Sequence, residues 1–235
     1  MVAMGKIRAV IFDLDDTLYM EEEYVRSGFR CVAKYLSQRV NESAEELFVE
    51  LVTLFEENKL NVFNRLLNKY HLNKVKLIDK CLEVYRAHYP DIKLRVGAEE
   101  LLKWLQYAGY KIGVITDGRP EGQWNKIQAL NISKYCDHII VTDELGGIEF
   151  RKPNEVCFTK MIELLRVKPE ESVYIGDNPL KDFVSGNKLG FETIMIINER
   201  GIYKQFEMKP EYRPRVSISN FSELKKILWG NSVEK

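Results

Sequence analysis

Five short runs in this chain are apolar at almost every position: Ala9-Val10-Ile11-Phe12, Ile112-Gly113-Val114-Ile115, Ile139-Ile140-Val141, Val173-Tyr174-Ile175 and Thr193-Ile194-Met195-Ile196-Ile197. None of them alternates polar with apolar residues. A strand that is apolar on both faces needs cover on both, as in a parallel sheet sandwiched between helices. Helical spacing fills the gaps between the later runs, at 98–108 (Glu99, Leu101, Leu102, Trp104, Leu105), 120–130, 154–166 and 180–189. From residue 95 onward strand and helix take turns, which predicts an α/β fold with right-handed crossovers. Arg215-Val216-Ser217-Ile218 reads as a short edge strand, and Phe221 to Leu228 as an amphipathic stretch.

The first and second runs are too far apart for a single crossover. Residues 21–92 carry no strand pattern, and their apolar residues recur at helical spacing instead: Val25, Phe29, Val32, Ala33 and Leu36; Leu47, Leu51, Leu54 and Phe55; Val62, Phe63, Leu66 and Leu67; Leu77, Cys81, Val84 and Tyr85. Ser43 ahead of Ala44-Glu45-Glu46 forms a capping box that opens one of these helices. The expectation is a core built from residues 1–20 and 93–235, interrupted after its first strand by an all-helical module, 21–92. The chain has 235 residues, 45% of them hydrophobic and 11% aromatic, enough for a sizeable buried core.

Bulk charge removes some functions from consideration. Lys+Arg and Asp+Glu both number 35, so nothing global draws the chain to nucleic acid. Cys31, Cys81, Cys136 and Cys157 are far apart with no CxxC pair, which speaks against a zinc or redox centre and for small apolar side chains in a reducing compartment. Met1-Val2-Ala3-Met4-Gly5-Lys6 runs straight into the first strand without a signal-peptide pattern, and no apolar run approaches a membrane span. The expectation is a cytoplasmic protein, monomer or homodimer, that engages neither membrane nor nucleic acid. His71, His88 and His138 stand alone and read as structural. Trp104, Trp124 and Trp229 fall on amphipathic stretches and read as core or interface.

In an open α/β sheet, ligands bind beyond the carboxyl ends of the strands, so the residues after each run carry the chemistry. The first run ends in Asp13-Leu14-Asp15-Asp16-Thr17, with three carboxylates in four positions. Clustered carboxylates repel unless protons or a cation neutralise them, and Mg²⁺ is the usual hard, oxygen-seeking partner. A loop rich in Asp for turn geometry is the bland alternative; three carboxylates tight against a buried strand weigh against it. The second run ends in Thr116-Asp117-Gly118, where a hydroxyl and backbone N–H groups can hold phosphate oxygens, although the same tripeptide makes ordinary turns. Arg151-Lys152-Pro153-Asn154 precedes a helix; Pro153 suits its first position, which sets Lys152 at the mouth of the sheet. Alone, such a pair is more often solvated surface. Val173-Tyr174-Ile175 leads into Gly176-Asp177-Asn178-Pro179-Leu180-Lys181-Asp182, where Gly176 permits a tight turn and Asp177 supplies a further metal carboxylate.

In order and spacing, these motifs closely resemble the haloacid dehalogenase superfamily, specifically its phosphatase branch. That family carries DxD after the first strand, Ser or Thr after the second, Lys before a later helix, and an acidic GDxxxxD-type motif; here these are Asp13-Leu14-Asp15, Thr116, Lys152, and Gly176-Asp177 with Asp182. The likeness spans roughly residues 6–198. It implies a Rossmann-like three-layer core, with the 21–92 insert as a helical cap. It further implies that Asp13 is a nucleophile forming an aspartyl-phosphate and that Asp15 is the general acid and then base. Thr116 and Lys152 would complete the catalytic set, and Thr116, Asp117, Gly118 and Lys152 would bind substrate. Asp13, Asp15 (through its carbonyl) and Asp177 would hold Mg²⁺, with Asp182 acting from behind these ligands or through a metal-bound water. The substrate implied is a small phosphorylated metabolite. Many relatives carry Asn where Asp117 stands, so an added negative charge lies near the phosphate unless that side chain turns away to cap the next helix. The segment Gly146 to Arg151 is longer than in many relatives and leaves open whether Arg151 or Lys152 meets the phosphate; the position before Pro153 favours Lys152. Tyr19 to Tyr24 with Arg26, and Glu121-Gly122-Gln123-Trp124, are further stretches able to touch substrate. A phosphomutase, a 2-haloacid dehalogenase and a non-catalytic scaffold are the competing readings. Asp15 speaks against the dehalogenase, which attacks carbon and needs no acid there.

Overall fold

The computed structural model describes residues 7–72, 75–198 and 209–230. The stretch Met1 to Lys6 and the side chain of Trp229 lie outside the described residues. The apolar runs form strands β1 (Ala9–Phe12), β2 (Lys111–Thr116), β3 (His138–Val141), β4 (Ser172–Gly176) and β5 (Glu192–Ile196), and Val216–Ile218 adds β6 at the edge. All pairings are parallel, in the order β3-β2-β1-β4-β5-β6. This is the Rossmann-like α/β architecture expected from the sequence. The chain winds outward from β1 to β3, crosses back to β4 on the other side of β1, and winds outward again. The crevice between the carboxyl ends of β1 and β4 is therefore the topological switch point, where α/β sheets receive ligands.

β1 has no solvent exposure at any position. Val10 and Phe12 face one layer, with Leu101, Leu105, Ile127 and Leu224. These come from α5 (Ala98–Tyr107), α6 (Pro120–Ala129) and α9 (Phe221–Gly230). Ala9 and Ile11 face the other layer, with Phe158, Met161 and Leu165 of α7 (Glu155–Leu165).

Two local details differ from the sequence expectation. The helix expected over 180–189 starts only at Val184, as α8 (Val184–Leu189). Asp182 instead closes a turn on Asn178: its N–H donates to the Asn178 carbonyl and its Oδ2 accepts from the Asn178 N–H, both at 2.9 Å. Pro153 is not the first residue of α7. Asn154 caps that helix, its Oδ1 accepting from the Val156 N–H at 2.9 Å, and Pro153 lies just outside it.

The insert forms α1 (Glu21–Leu36), α2 (Ala44–Glu57), α3 (Val62–Lys69) and α4 (Val75–Ala87), which pack around a core of their own that includes Phe29, Val32, Leu47, Leu51 and Leu66. Ser43 and Glu46 close the capping box of α2. Where the chain leaves the sheet and where it returns, the two connections lie side by side. Tyr19 bridges to Leu94, the Arg95 N–H donates to the Leu18 carbonyl, and the Arg95 guanidinium donates to the Asp16 carbonyl at 2.9 Å. No helix among the described residues is long and apolar enough to cross a membrane.

Candidate active site

β1 runs one residue past its last strand position: the Asp13 N–H still donates to the Ile175 carbonyl of β4, at 2.8 Å. The Asp13 side chain is thereby fixed, buried, at the switch point. A single helical turn follows, with the Leu14 carbonyl accepting from the Leu18 N–H at 2.9 Å. Asp16 sits at φ 52°, a left-handed conformation that Asp tolerates, and its Oδ1 accepts from the Glu21 N–H to set the start of α1. Asp16 and Thr17 thus shape the turn, while Asp13 and Asp15 point to different tasks.

Asp13 Oδ1 accepts from the Lys152 ammonium at 2.5 Å, and Lys152 also reaches Asp182 Oδ1 and the Tyr174 hydroxyl, each at 2.9 Å. The Lys152 side chain has no solvent exposure. Carboxylate oxygens of Asp13, Asp177 and Asp182 lie within 4.8 Å of one another. Asp13 Oδ2 is buried without a hydrogen-bond partner. Burial pushes the Asp13 carboxyl up to about 6, against the pull of Lys152. Burial, then Asp182 and Asp13, push Asp177 up to about 9. Burial alone would strip the proton from Lys152, but Asp13 and Asp182 outweigh it and hold the ammonium well above the ordinary lysine range.

Three buried carboxyls outnumber the Lys152 and Lys181 ammoniums beside them, and one Asp13 oxygen is left without a hydrogen-bond partner. An all-carboxylate donor set of this kind suits a hard divalent cation such as Mg²⁺. Gly176 makes room for the Asp182 carboxylate, with which a Cβ at that position would collide.

The electrostatics give a signed prediction. A carboxyl whose folded pKa is raised binds a proton the unfolded chain has already released, so stability falls as pH rises through that window. The metal-free protein should melt at progressively lower temperature from pH 5 to pH 9, and Mg²⁺ should restore most at the alkaline end, because the ligands must be ionised. Thermal melts with chelator and with Mg²⁺ measure this. The slope should flatten in Asp177→Asn; a metal-free melting point that climbs across the window contradicts the charge balance described.

Asp15 points the other way. Lys126 donates to its Oδ1 at 2.6 Å, Gln123 donates to its Oδ2 at 2.9 Å, and the Tyr19 hydroxyl bonds Oδ1 as well. Burial would raise this carboxyl, but Lys126, with Tyr19 and Gln123, brings it down to about 2. The same Gln123 amide donates to the Thr116 hydroxyl and the Asp117 carbonyl, tying the end of β2 to the Asp15 loop. Gly118, at φ 141°, lies where a Cβ would press on the Gln123 side chain, and its backbone N–H already interacts with Asp143.

Asp117 does not turn away to cap α6, one of the two possibilities the sequence left open. Its Oδ1 accepts from the Lys152 backbone N–H and the Thr142 hydroxyl, both at 3.0 Å, and Lys181 lies 3.5 Å from its Oδ2. This carboxylate braces the loop carrying Lys152. Arg151 turns outward into a two-pronged pair with Asp143, both bonds 2.7 Å, so Lys152 alone of the two enters the site. Sequence reasoning missed Lys126 and Tyr174. Lys126 follows Gln123 by one helical turn on α6, a spacing that could have flagged it. Tyr174 read only as part of an apolar strand.

A cleft of about 580 Å³ opens beside Asp15. It is lined from the core by Asp117, Arg119, Gln123 and Lys126, and from the helical insert by Tyr24 and Arg86. Glu21, Asp79, Glu83 and Glu121 also line it, so carboxylates outnumber cations there.

Comparison with known proteins gives the family and the fold. The family model for haloacid dehalogenase-like hydrolases matches residues 10–196. A glyceraldehyde 3-phosphate phosphatase of Methanopyrus kandleri is 31% identical over 237 residues, covering 94% of this chain and 99% of the relative. Pyrophosphatase PpaX of Bacillus mycoides is 25% identical over 95% of this chain and 97% of its own length. Among solved structures, a HAD phosphatase from Thermococcus onnurineus shares the fold with a TM-score of 0.63 at 24% identity, covering 97% of this chain and 100% of that one. The chain belongs to the haloacid dehalogenase-like hydrolase family, as an enzyme of its phosphatase branch.

Proposed function

We propose that this enzyme hydrolyses small phosphomonoesters with an uncharged leaving group, using Mg²⁺ and passing through an aspartyl-phosphate on Asp13. The observation that carries the proposal is the buried Asp13, bonded to Lys152 through one oxygen and unpartnered at the other, beside Asp177 and Asp182. Asp13, Asp177 and Asp182, with the Asp15 carbonyl, would hold the metal, which when bound offsets the charge of carboxylates and phosphoryl oxygens. Asp13 attacks phosphorus; the ester bond breaks, and the leaving oxygen takes a proton from Asp15. Water then attacks the aspartyl-phosphate with Asp15 as base. Lys152 neutralises charge on Asp13 and on the phosphoryl oxygens, while Thr116 orients the phosphoryl group. Asp15, held ionised by Lys126, first takes up a proton from solvent as Lys126 loosens its grip, gives that proton to the leaving oxygen, and is then ionised again for the base step. The helical insert, as a cap spanning 21–92, would close the cleft against bulk water.

The relatives carry two kinds of substrate name, and the cleft bears on the choice. Its excess of carboxylates opposes a leaving group that is itself an anion, such as the phosphate released from pyrophosphate. The expected kcat/KM for pyrophosphate is at least about tenfold below that for a triose or glycerol phosphate, since like charges brought together are costly. Steady-state phosphate release on both substrates measures this.

The general test is hydrolysis of p-nitrophenyl phosphate with Mg²⁺ and with chelator. Turnover that disappears in chelator and returns with Mg²⁺ supports the proposal. No turnover on a broad phosphomonoester panel, with Mg²⁺ bound, would sink it, and chloride release from a haloacid would favour the dehalogenase.

A further inference from the structure

We infer that Lys126 reads the leaving group: its ammonium binds an oxygen on the carbon next to the ester-bearing carbon, so the enzyme selects phosphate esters with a vicinal hydroxyl or carbonyl. This rests on the phosphatase reading of the site and deepens it. Lys126 belongs to α6 of the core, outside the motifs that carry the chemistry. Its side chain is 8% exposed, and its Nζ lies 2.6 Å from Asp15 Oδ1 and 4.3 Å above the centre of the Tyr24 ring. The ammonium is thus held between the acid of the core and the first helix of the insert, on the wall of the cleft.

Geometry then restricts what it can meet. To receive a proton, the ester oxygen must come within hydrogen-bond reach of an Asp15 oxygen, about 2.6–3.2 Å. Lys126 already lies at that distance from the same carboxylate. The ester oxygen and the Lys126 ammonium therefore flank one carboxyl group, and an oxygen on the adjacent carbon is the first substrate atom that reaches the ammonium. Lysine has three donors and no acceptor, so it can bind that oxygen without first breaking all its contact with Asp15. Tyr24 confines the ammonium through its ring face, leaving it few other positions.

The experiment compares two esters that differ only in the vicinal oxygen, glycerol 3-phosphate and 3-hydroxypropyl phosphate, with Mg²⁺ present. The wild type should favour glycerol 3-phosphate in kcat/KM by about tenfold to a hundredfold, the usual worth of a charge-assisted hydrogen bond. In Lys126→Met that ratio should fall to within about threefold of unity by the same loss of one such bond, chiefly through KM on glycerol 3-phosphate. Lys126→Arg, which keeps the charge and the ring contact, should retain a preference and guards against loss by misfolding. A wild-type ratio near unity, or a ratio unmoved in Lys126→Met, overturns the inference while leaving the phosphatase intact. Failure of the wild type to cleave either ester overturns both.

Discussion

Turnover in Asp13→Asn is expected to fall by at least about 10⁴-fold, with phosphate release under saturating p-nitrophenyl phosphate and Mg²⁺ as the measurement. The reason lies in how the two Asp13 oxygens are used. Oδ1 is engaged by Lys152, and Oδ2 is buried without a hydrogen-bond partner, so the two oxygens can divide attack on phosphorus and contact with a cation between them. An amide keeps the shape and the bond to Lys152 but offers no nucleophile. The same change removes one of three crowded acids, so the metal-free variant should melt no lower than the wild type. Functional sites often hold charge that the fold would be steadier without. Lost activity with an unlowered melting point is the expected pair of results. A kcat within tenfold of wild type would overturn Asp13 as the attacking group.

The second large effect is at Lys152. In Lys152→Met, Asp13 and Asp182 lose the cation that each now contacts, and neither side chain has solvent to turn to. Removing one partner of a buried ion pair typically costs about 3–5 kcal/mol, because the other charge stays behind. For a chain of this size that corresponds to a melting point lower by roughly 10 °C. Turnover should fall by about 10²–10³ as well, the usual consequence of deleting a donor aimed at developing charge. Mg²⁺ should raise the melting point of the variant more than that of the wild type, since a bound cation replaces part of the missing charge. A melting point within about 3 °C of wild type would contradict the role of Lys152 as counter-charge, on the same scale.

Much of this was legible in the sequence. Runs such as Ala9 to Phe12, apolar on both faces, announce buried parallel strands, and Asp13, Lys152, Asp177 and Asp182 stand where such strands or their neighbouring helix end. The chain's own local code places them at one mouth. What was illegible depends on packing. Lys126 looks like any helix-surface lysine until α6 docks against the Asp15 loop and Tyr24 covers it from the insert. Tyr174 has the apolar signature of its strand, and its hydroxyl acquires meaning only when Lys152 arrives from a loop 22 residues away in sequence. Asp117 at a strand-to-helix turn suggests a cap, yet the Lys152 backbone N–H and Thr142, both distant in sequence, draw its carboxylate off. Pro153 suggested the start of α7 by its fixed backbone angle, but Asn154, whose side chain bonds a backbone N–H, took the capping position.

The bridge between Tyr19 and Leu94 has a consequence for how such a protein is assembled over evolutionary time. Partners in an antiparallel bridge have Cα atoms about 4.5–5.5 Å apart. The whole helical insert is therefore strung between two points so close that a tight turn could join them. The sheet does not need the insert to keep its register, since among the described residues β1 pairs only with β2 and β4. A module attached in this way can be exchanged, enlarged or pared back by recombination at a single spot, while the carboxylates and the lysine at the sheet mouth stay where they are. The catalytic groups and the part of the cleft wall that Tyr24 and Arg86 supply are thereby carried by pieces of chain that selection can alter separately.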